Sequence, residues 1–539
     1  MCGILAIIGK GKDEALVKVL SKRMSHRGPD ESDLYVTSNG HILSHERLSI
    51  IDLHSGKQPI KGTHTAYMVH NGEIYNHQEL RNGILKDHTF RTKSDSEVIV
   101  HLYEKFGYDF LPMLDGDFAF VVVDGDDFIA GRDPLGVKPL YYGVDERGRI
   151  YFASEMKSIA DQCKTFSTFP PGHYYTAGTG FVKYYKPEYE DYNKADAALD
   201  LSAIRDALTE ATRKRLMSDV PIGVLLSGGL DSSLTSSIAA RLLKEKGKKL
   251  HSFSIGLNAE APDAKAARKV AAFLGTEHHE IHFTIEQGIQ ILDKLIWHLE
   301  TYDVTSIRAS TPMYFLSKAI TGLGIKVVLS GEGADEIFGG YLYFRNAPST
   351  EDFQKETIER VQKLFTADLL RADKSTMAHG LEARVPFLDK AFLDMAMTIK
   401  AAEKQPATYG GVEKYILRKA FDTPDAPYLP QEVLWRQKEQ FSDGVGYSWI
   451  DQLIEYASAQ VTDTQLETAK ELYPYNTPTT KEAYYYRSIF HKYYLQTSAA
   501  QTVRKWIPKW QENLDPSGRA NAAHIQADTT VEKNMLLFN

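Results

Sequence analysis

The chain is nearly without cysteine, with two in 539 residues. That excludes a disulfide framework and favours a reducing compartment, so a cytoplasmic protein is expected. Long apolar runs are also missing: no stretch approaches the roughly 18–20 apolar residues that cross a bilayer. The early run ILAII (4–8) is short and has no basic stretch before it, so it does not read as a secretory signal. Glycine stands at position 3 rather than 2, outside the myristoylation pattern. Positive charge is in deficit: 63 Lys and Arg stand against 71 Asp and Glu, a net charge of -8, which speaks against nucleic acid as a main partner. What is present is ordinary for a globular protein, 43% hydrophobic and 25% charged. The length calls for two or three domains. Small-molecule substrates are expected, with neither membrane nor nucleic acid as partner.

One of the two cysteines is at position 2, directly before Gly3. ILAII reads as a short buried strand with Cys2 at its tip. Once Met1 is removed, Cys2 would carry a thiol and a free α-amine, whose ordinary pKa of about 7.7–8.0 leaves part of it neutral at pH 7. Such an amine can serve as base for its own side chain, the thiolate being the reactive form, and Gly3 leaves the backbone open to a substrate. A cysteine near a terminus is equally a small apolar residue or a lipid site. Further stretches bear on the choice: HRGPD (26–30), RLSIID (47–52), NGEIYNH (71–77) and SDSE (94–97). Asn71-Gly72 reads either as a type I′ hairpin turn or as two donors to the oxyanion of a tetrahedral intermediate. Asp95 reads as a residue at a helix start or as a carboxylate for a substrate α-amino group. Arg47 can clamp an α-carboxylate bidentately. Together these are the needs of glutamine hydrolysis.

These stretches, with MCGI, resemble the glutaminase domain of the class II, N-terminal-nucleophile amidotransferases. The resemblance implies a four-layer α/β/β/α sandwich over residues 2–186. It implies Cys2 as nucleophile and Asn71 and Gly72 as oxyanion donors. Arg47, Leu48, Ser49, Ile50, Ile51, Glu73 and Asp95 would surround the glutamine.

Residues 187–201 are polar and Pro-containing and read as a linker, followed by a helical pattern over 202–217. In SDVPIGVLLSGGLDSSLTSSIAARLL (218–243), residues 220–226 read as a buried strand. Ser227-Gly228-Gly229 would be a tight turn, and a helix would run from Asp231, with Ser232 and Ser233 in its first turn. Such a turn aims backbone N–H groups and the positive end of a helix at one point, which suits phosphate. A plain strand–turn–helix connection, with Asp231 a favourable charge at the helix start, stays open. No Lys follows the last Gly, so this is not a Walker A loop. LHSFSIGL (250–257) and IKVVLSGEGADE (325–336) supply further strands, with helical patterns at 263–274 and 310–321 between them. That alternation predicts a doubly wound parallel sheet. Residues 227–231, 255–256 and 330–335 then fall at strand carboxyl ends, where ligands bind.

SGGLDSS resembles the signature of the PP-loop ATP pyrophosphatases, which implies cleavage of ATP between the α- and β-phosphates. It also implies Mg²⁺ held by Asp231 and Asp335, hard oxygen donors suited to that ion. The stretches ETYDVTSIRASTPMY (300–314), VLSGEGADEIFGGYLYF (328–344), HGLEARVPFLDK (379–390) and WRQKEQFSDGVGYSWID (435–451) complete a resemblance to the glutamine-hydrolysing asparagine synthetases. It spans Cys2 to about residue 500 and implies a synthetase domain over 202–515, a homodimer, and a closed passage for ammonia. Leu226, Ser227, Gly228, Gly229, Asp231, Ser232, Ile255, Ser330, Gly331 and Lys438 would bind ATP. Glu332 would assist formation of β-aspartyl-AMP or take a proton from the attacking ammonia, and Arg308 would meet a substrate carboxylate. A β-lactam-forming synthetase would not keep the glutaminase residues, and a sugar-phosphate amidotransferase would lack SGGLDSS. A silent scaffold would be expected to lose Cys2 or Asp231 first. Cys163 reads as structural, and the tail over 516–539 as poorly ordered.

Overall fold

The computed structural model describes residues 2–11, 13–438, 444–446 and 448–512. The expected tail over 516–539, the end of the expected 202–515 unit, and positions 439–443 and 447 of the WRQKEQFSDGVGYSWID stretch lie outside the described residues.

The first strand, Gly3–Ile8, is buried at all six positions because both of its faces are covered. Leu5 and Ile7 pack under Val17 and Leu20 of the helix Glu14–Lys22. Ile4, Ala6 and Ile8 face Val69, Val121 and Ala130 of a second sheet. This two-sided burial explains why the run is continuously apolar rather than alternating. Two antiparallel six-stranded sheets stack here. One runs in the order Thr165–Thr168, Tyr141–Val144, Ile150–Ala153, Gly3–Ile8, Ile42–Arg47, Glu31–Val36. The other runs Gly180–Lys183, His173–Thr176, Asp127–Arg132, Gly116–Asp124, Tyr67–Ile74, Ile60–Lys61. Leu80, Val98 and Leu102, from the helices His77–Asn82 and Glu97–Phe106, close the outer face of the second sheet over Met68 and Phe118. The expected α/β/β/α sandwich is the observed one. Cys163 is buried in the core of this half, where burial pushes its thiol up to about 12, so it stays an inert thiol at neutral pH.

The polar 187–201 segment is fastened rather than loose. Tyr189 is buried in the same cluster as Leu135 and Leu208, and Ala197 bridges Ile399. The helix Leu201–Lys214 follows, capped by the Asp200 carboxylate.

The second half holds five parallel strands in the order Glu277–His282, His251–Gly256, Ile222–Leu225, Val327–Leu329, Glu382–Arg384. The chain builds outward from Ile222–Leu225 to one edge, then returns to build the other side. The reversal therefore lies between Ile222–Leu225 and Val327–Leu329, the place where open parallel sheets bind ligands. The helix expected at 310–321 starts earlier, at Val304, because the Asp303 carboxylate takes the Ser306 N–H at 2.9 Å.

The halves meet across buried charges, each matched by an opposite one as desolvated ions require. Arg27 meets Asp373, Glu73 meets Arg384, and Arg215, itself paired with Asp389 of its own half, meets Asp117. Among the described residues no helix is long and apolar enough to cross a membrane.

Candidate active sites

Cys2 ends the central strand of the first sheet, and its N–H donates to Asn71 Oδ1 at 2.8 Å. The Asn71 Nδ2 is buried with no hydrogen-bond partner, although buried donors are nearly always paired. Asn71 and Gly72 lie inside the strand Tyr67–Ile74, so the hairpin-turn reading of this pair does not hold. Gly72 has φ 143°, and a Cβ there would come within 2.0 Å of the Asp117 carbonyl oxygen, so only glycine fits. The Cys2 Sγ lies 3.9 Å from the Leu48 carbonyl, and burial pushes the thiol up.

Arg47 ends the strand Ile42–Arg47 with its guanidinium donating to Glu31 and to the Asp52 carbonyl, both at 2.6 Å. Beyond it, Ser49 N–H reaches Asp30 at 2.7 Å, while Leu48, Ile50 and Ile51 pack against Val327 and Met377 of the second half. Asp95 takes the Ile74 N–H at 2.8 Å, two residues before the helix Glu97–Phe106. Glu73 Oε1 lies 3.2 Å from Arg384 while its Oε2 has no partner. Burial raises both the Glu73 and Asp95 carboxyls, Glu73 further because Glu382 and Asp95 face it. Two desolvated carboxyls thus flank the strand whose unpaired amide donor lies beside Cys2.

The second site opens at the sheet reversal. A cavity of about 150 Å³ is lined by Leu226, Ser227, Gly229, Asp231, Ser232, Ile255, Ser330, Gly331, Glu332, Asp335 and Lys438. Ser227 and Ser232 hydroxyls bond each other at 2.9 Å across the turn into the helix Leu230–Glu245. The Lys414 Nζ sits between two acids, 2.6 Å from Asp231 and 2.7 Å from Asp335, and Lys438 reaches Asp335 at 2.5 Å. Burial, which would raise Asp335, is outweighed by these two ammonium groups, so its carboxyl is held well below the usual range. Burial prevails at Asp231 and raises it. It also raises Glu332, whose partner Arg371 lies at 3.2 Å.

Residues 1–179 match the family described as glutamine amidotransferase domain, and residues 203–352 and 345–516 match asparagine synthase. The chain is 51% identical over 555 residues to a probable glutamine-hydrolyzing asparagine synthetase of Dictyostelium discoideum, covering 97% of this chain and 99% of that one. It is 50% identical to glutamine-hydrolyzing asparagine synthetase 1 of Arabidopsis thaliana over 98% of this chain and 95% of that one. The Zea mays enzyme of the same name is 49% identical over 98% of this chain and 94% of that one. The chain belongs to the glutamine-hydrolysing asparagine synthetases. A solved allosteric regulatory enzyme of purine biosynthesis is similar at 17% identity and a TM-score of 0.32, over 52% of this chain and 80% of that one. That is too loose a likeness to add to the assignment.

Two residues of the expected set are not among those lining the cavity. Gly228 does not line the cavity: with φ 76° it turns toward the helix Pro262–Leu274, where a Cβ would lie 2.4 Å from Ala266. Arg308 is buried and holds Glu482 with two nitrogens, at 2.9 and 2.6 Å. Lys414, Arg371 and Asp368 line the synthetase cavity and were not expected. Lys414 carries one local mark of function, a left-handed φ of 54° in a non-glycine residue.

Proposed function

We infer that the protein converts aspartate to asparagine, using ATP and nitrogen taken from glutamine. What carries this reading is that one chain, alike over nearly its full length to enzymes so named, holds both a thiol beside an orphaned amide donor and a carboxylate pair at a sheet reversal. The first half would be the glutaminase, over 2–186, and the second, over 202–515, the synthetase.

The buried Cys2 thiol is neutral at pH 7, so its attack needs a base. The α-amine freed by removal of Met1 supplies one. Cys2 Sγ attacks the glutamine side-chain amide, and Asn71 Nδ2 and the Gly72 N–H receive the oxyanion. Ammonia departs, and water releases glutamate from the thioester. Asp95 and Glu73 would take the substrate ammonium, which settles two desolvated carboxyls at once. Arg47 would take the α-carboxylate by exchanging its Glu31 contact, while Leu48, Ser49, Ile50 and Ile51 shape the wall.

In the second half the aspartate β-carboxylate attacks the α-phosphate of ATP, giving β-aspartyl-AMP and pyrophosphate, and ammonia then displaces AMP. Leu226, Ser227, Gly229, Ser232, Ile255, Ser330 and Gly331 would bind the nucleotide, and Lys438 the pyrophosphate. Glu332, raised by burial, would accept the proton that ammonia loses. Asp231 and Asp335 fit Mg²⁺, since their carboxylates already converge on one cationic atom, the Lys414 Nζ. When bound, Mg²⁺ would offset charge on the departing pyrophosphate. We place the enzyme in the cytoplasm, where its two buried free thiols persist, as a homodimer.

The test is to mix the protein with MgATP, aspartate and glutamine and to measure asparagine, AMP and pyrophosphate. One of each per glutamate released is expected. Pyrophosphate without asparagine would overturn the reading.

A further inference from the structure

Three polar side chains on the outer part of the parallel sheet serve neither site. His251 opens the strand His251–Gly256, and Glu277 and His279 lie on the edge strand Glu277–His282. The parallel register sets His251 beside Glu277, and Phe253 beside His279. Residues two apart in a strand share a face, so Glu277 and His279 project together. The two imidazoles meet edge to edge, centroids 5.5 Å apart at 23° with the facing nitrogens on the line between them, while His279 lies on Phe253 at 4.9 Å and 14°. Packing on Phe253 holds the His279 ring with Nε2 turned toward His251. His251 Nδ1 lies 3.2 Å from His279 Nε2, and Glu277 Oε1 lies 3.8 Å from each. His278, between them in sequence, bonds Ser252 and Ser254 hydroxyls instead and takes no part.

One shared proton satisfies the two nitrogens but leaves the carboxylate too far for a hydrogen bond to either. A four-coordinate ion with bonds of about 2.0–2.2 Å holds its ligands about 3.3–3.6 Å apart. The three separations straddle that range, and each imidazole turns from the direct nitrogen–nitrogen line toward Glu277 to share the ion. Two imidazoles with one carboxylate select first-row transition ions over Mg²⁺ or Ca²⁺. The side chains are 32%, 26% and 50% exposed for His251, His279 and Glu277, so an ion can enter and water can complete its shell.

We propose that His251, Glu277 and His279 form a site for a divalent first-row transition ion such as Zn²⁺, clipping the edge strand to its neighbour. The site lies at the amino ends of these strands. The ATP loops, with Ile255, stand at the carboxyl ends, so the ion is structural rather than catalytic.

The full-length, metal-stripped protein, with excess Mg²⁺ present, is titrated with Co²⁺ and then Zn²⁺. One equivalent should give the visible absorption of four-coordinate Co²⁺, Zn²⁺ should displace it, and the thermal midpoint should rise. Second-sphere partners alone are worth about 10–100-fold in affinity, so H279A and the exposed, conservative E277Q should each bind roughly tenfold or more weakly. Both should keep asparagine synthesis. Co²⁺ that stays six-coordinate, or wild type and E277Q binding alike, overturns the proposal.

Discussion

Arg27 and Asp373 join the two halves: the guanidinium holds the carboxylate with two nitrogens, at 2.7 and 3.1 Å, while its Nε donates to the Cys2 carbonyl at 3.0 Å. Arg27 also reaches Glu155 at 2.9 Å and is fully buried, so one cation answers two desolvated carboxylates. Arg27→Met strips Asp373 of its buried cation, while Glu155 keeps Lys157. A loss of about 3–5 kcal/mol is expected, read as a lower urea midpoint; an unchanged midpoint would deny the pair any structural weight.

Cys2→Ala should abolish asparagine formation from glutamine and leave formation from added ammonium salts near the wild-type rate, because no described residue of the first half lines the second cavity. Residual glutamine use in this variant would mean that another group is the nucleophile.

Asn71→Ala removes the orphaned Nδ2. Glutaminase kcat should fall about 10²–10³-fold with a smaller change in KM, and ammonia-dependent synthesis should persist. Equal losses in both reactions would point to misfolding instead.

Asp231→Ala should abolish synthesis from either nitrogen source while glutamine hydrolysis continues. Lys414→Met frees the carboxylate pair from its resident ammonium. It should bind Mg²⁺ more tightly than wild type in calorimetric titrations without nucleotide, and binding no tighter than wild type would show that ion and ammonium do not share a position.

Among the described residues Lys404 is buried without a carboxylate partner, and burial pulls its ammonium down to about 7. In the unfolded chain a lysine titrates near 10.4. As pH falls from about 10, the unfolded chain takes up this proton first, so stability drops between about 10 and 7 and levels off below. The span is worth up to a few kcal/mol. Lys404→Met should therefore be more stable than wild type at pH 7, with the difference shrinking toward pH 10 in thermal melts. A constant difference would show that Lys404 is charged throughout.

Residues whose chemistry sits in contiguous words were legible beforehand. Cys2 at a strand tip, the Asn71-Gly72 pair and the SGGLDSS turn each needed particular residue types side by side. The hairpin reading of Asn71-Gly72 failed because flanking residues cannot show that Phe118 and Ala119 pair across the strand at that point. Lys414, Arg371 and Asp368 escaped notice because charges scattered through helical stretches look like solvated faces until the chain folds. The strand Glu382–Arg384 hid for a similar reason: charged residues are seldom buried, yet both its glutamate and its arginine are fully buried, with Arg384 bonded to Glu382 at 2.5 Å and facing Glu73.

The helix Asp368–Met377 carries Arg371 toward Glu332 and, two residues on, Asp373 toward Arg27. Positions so spaced point to opposite sides of a helix. One helix thus spans the distance between the two cavities, so any displacement of Arg371 is carried by a single element to the guanidinium that holds the Cys2 carbonyl.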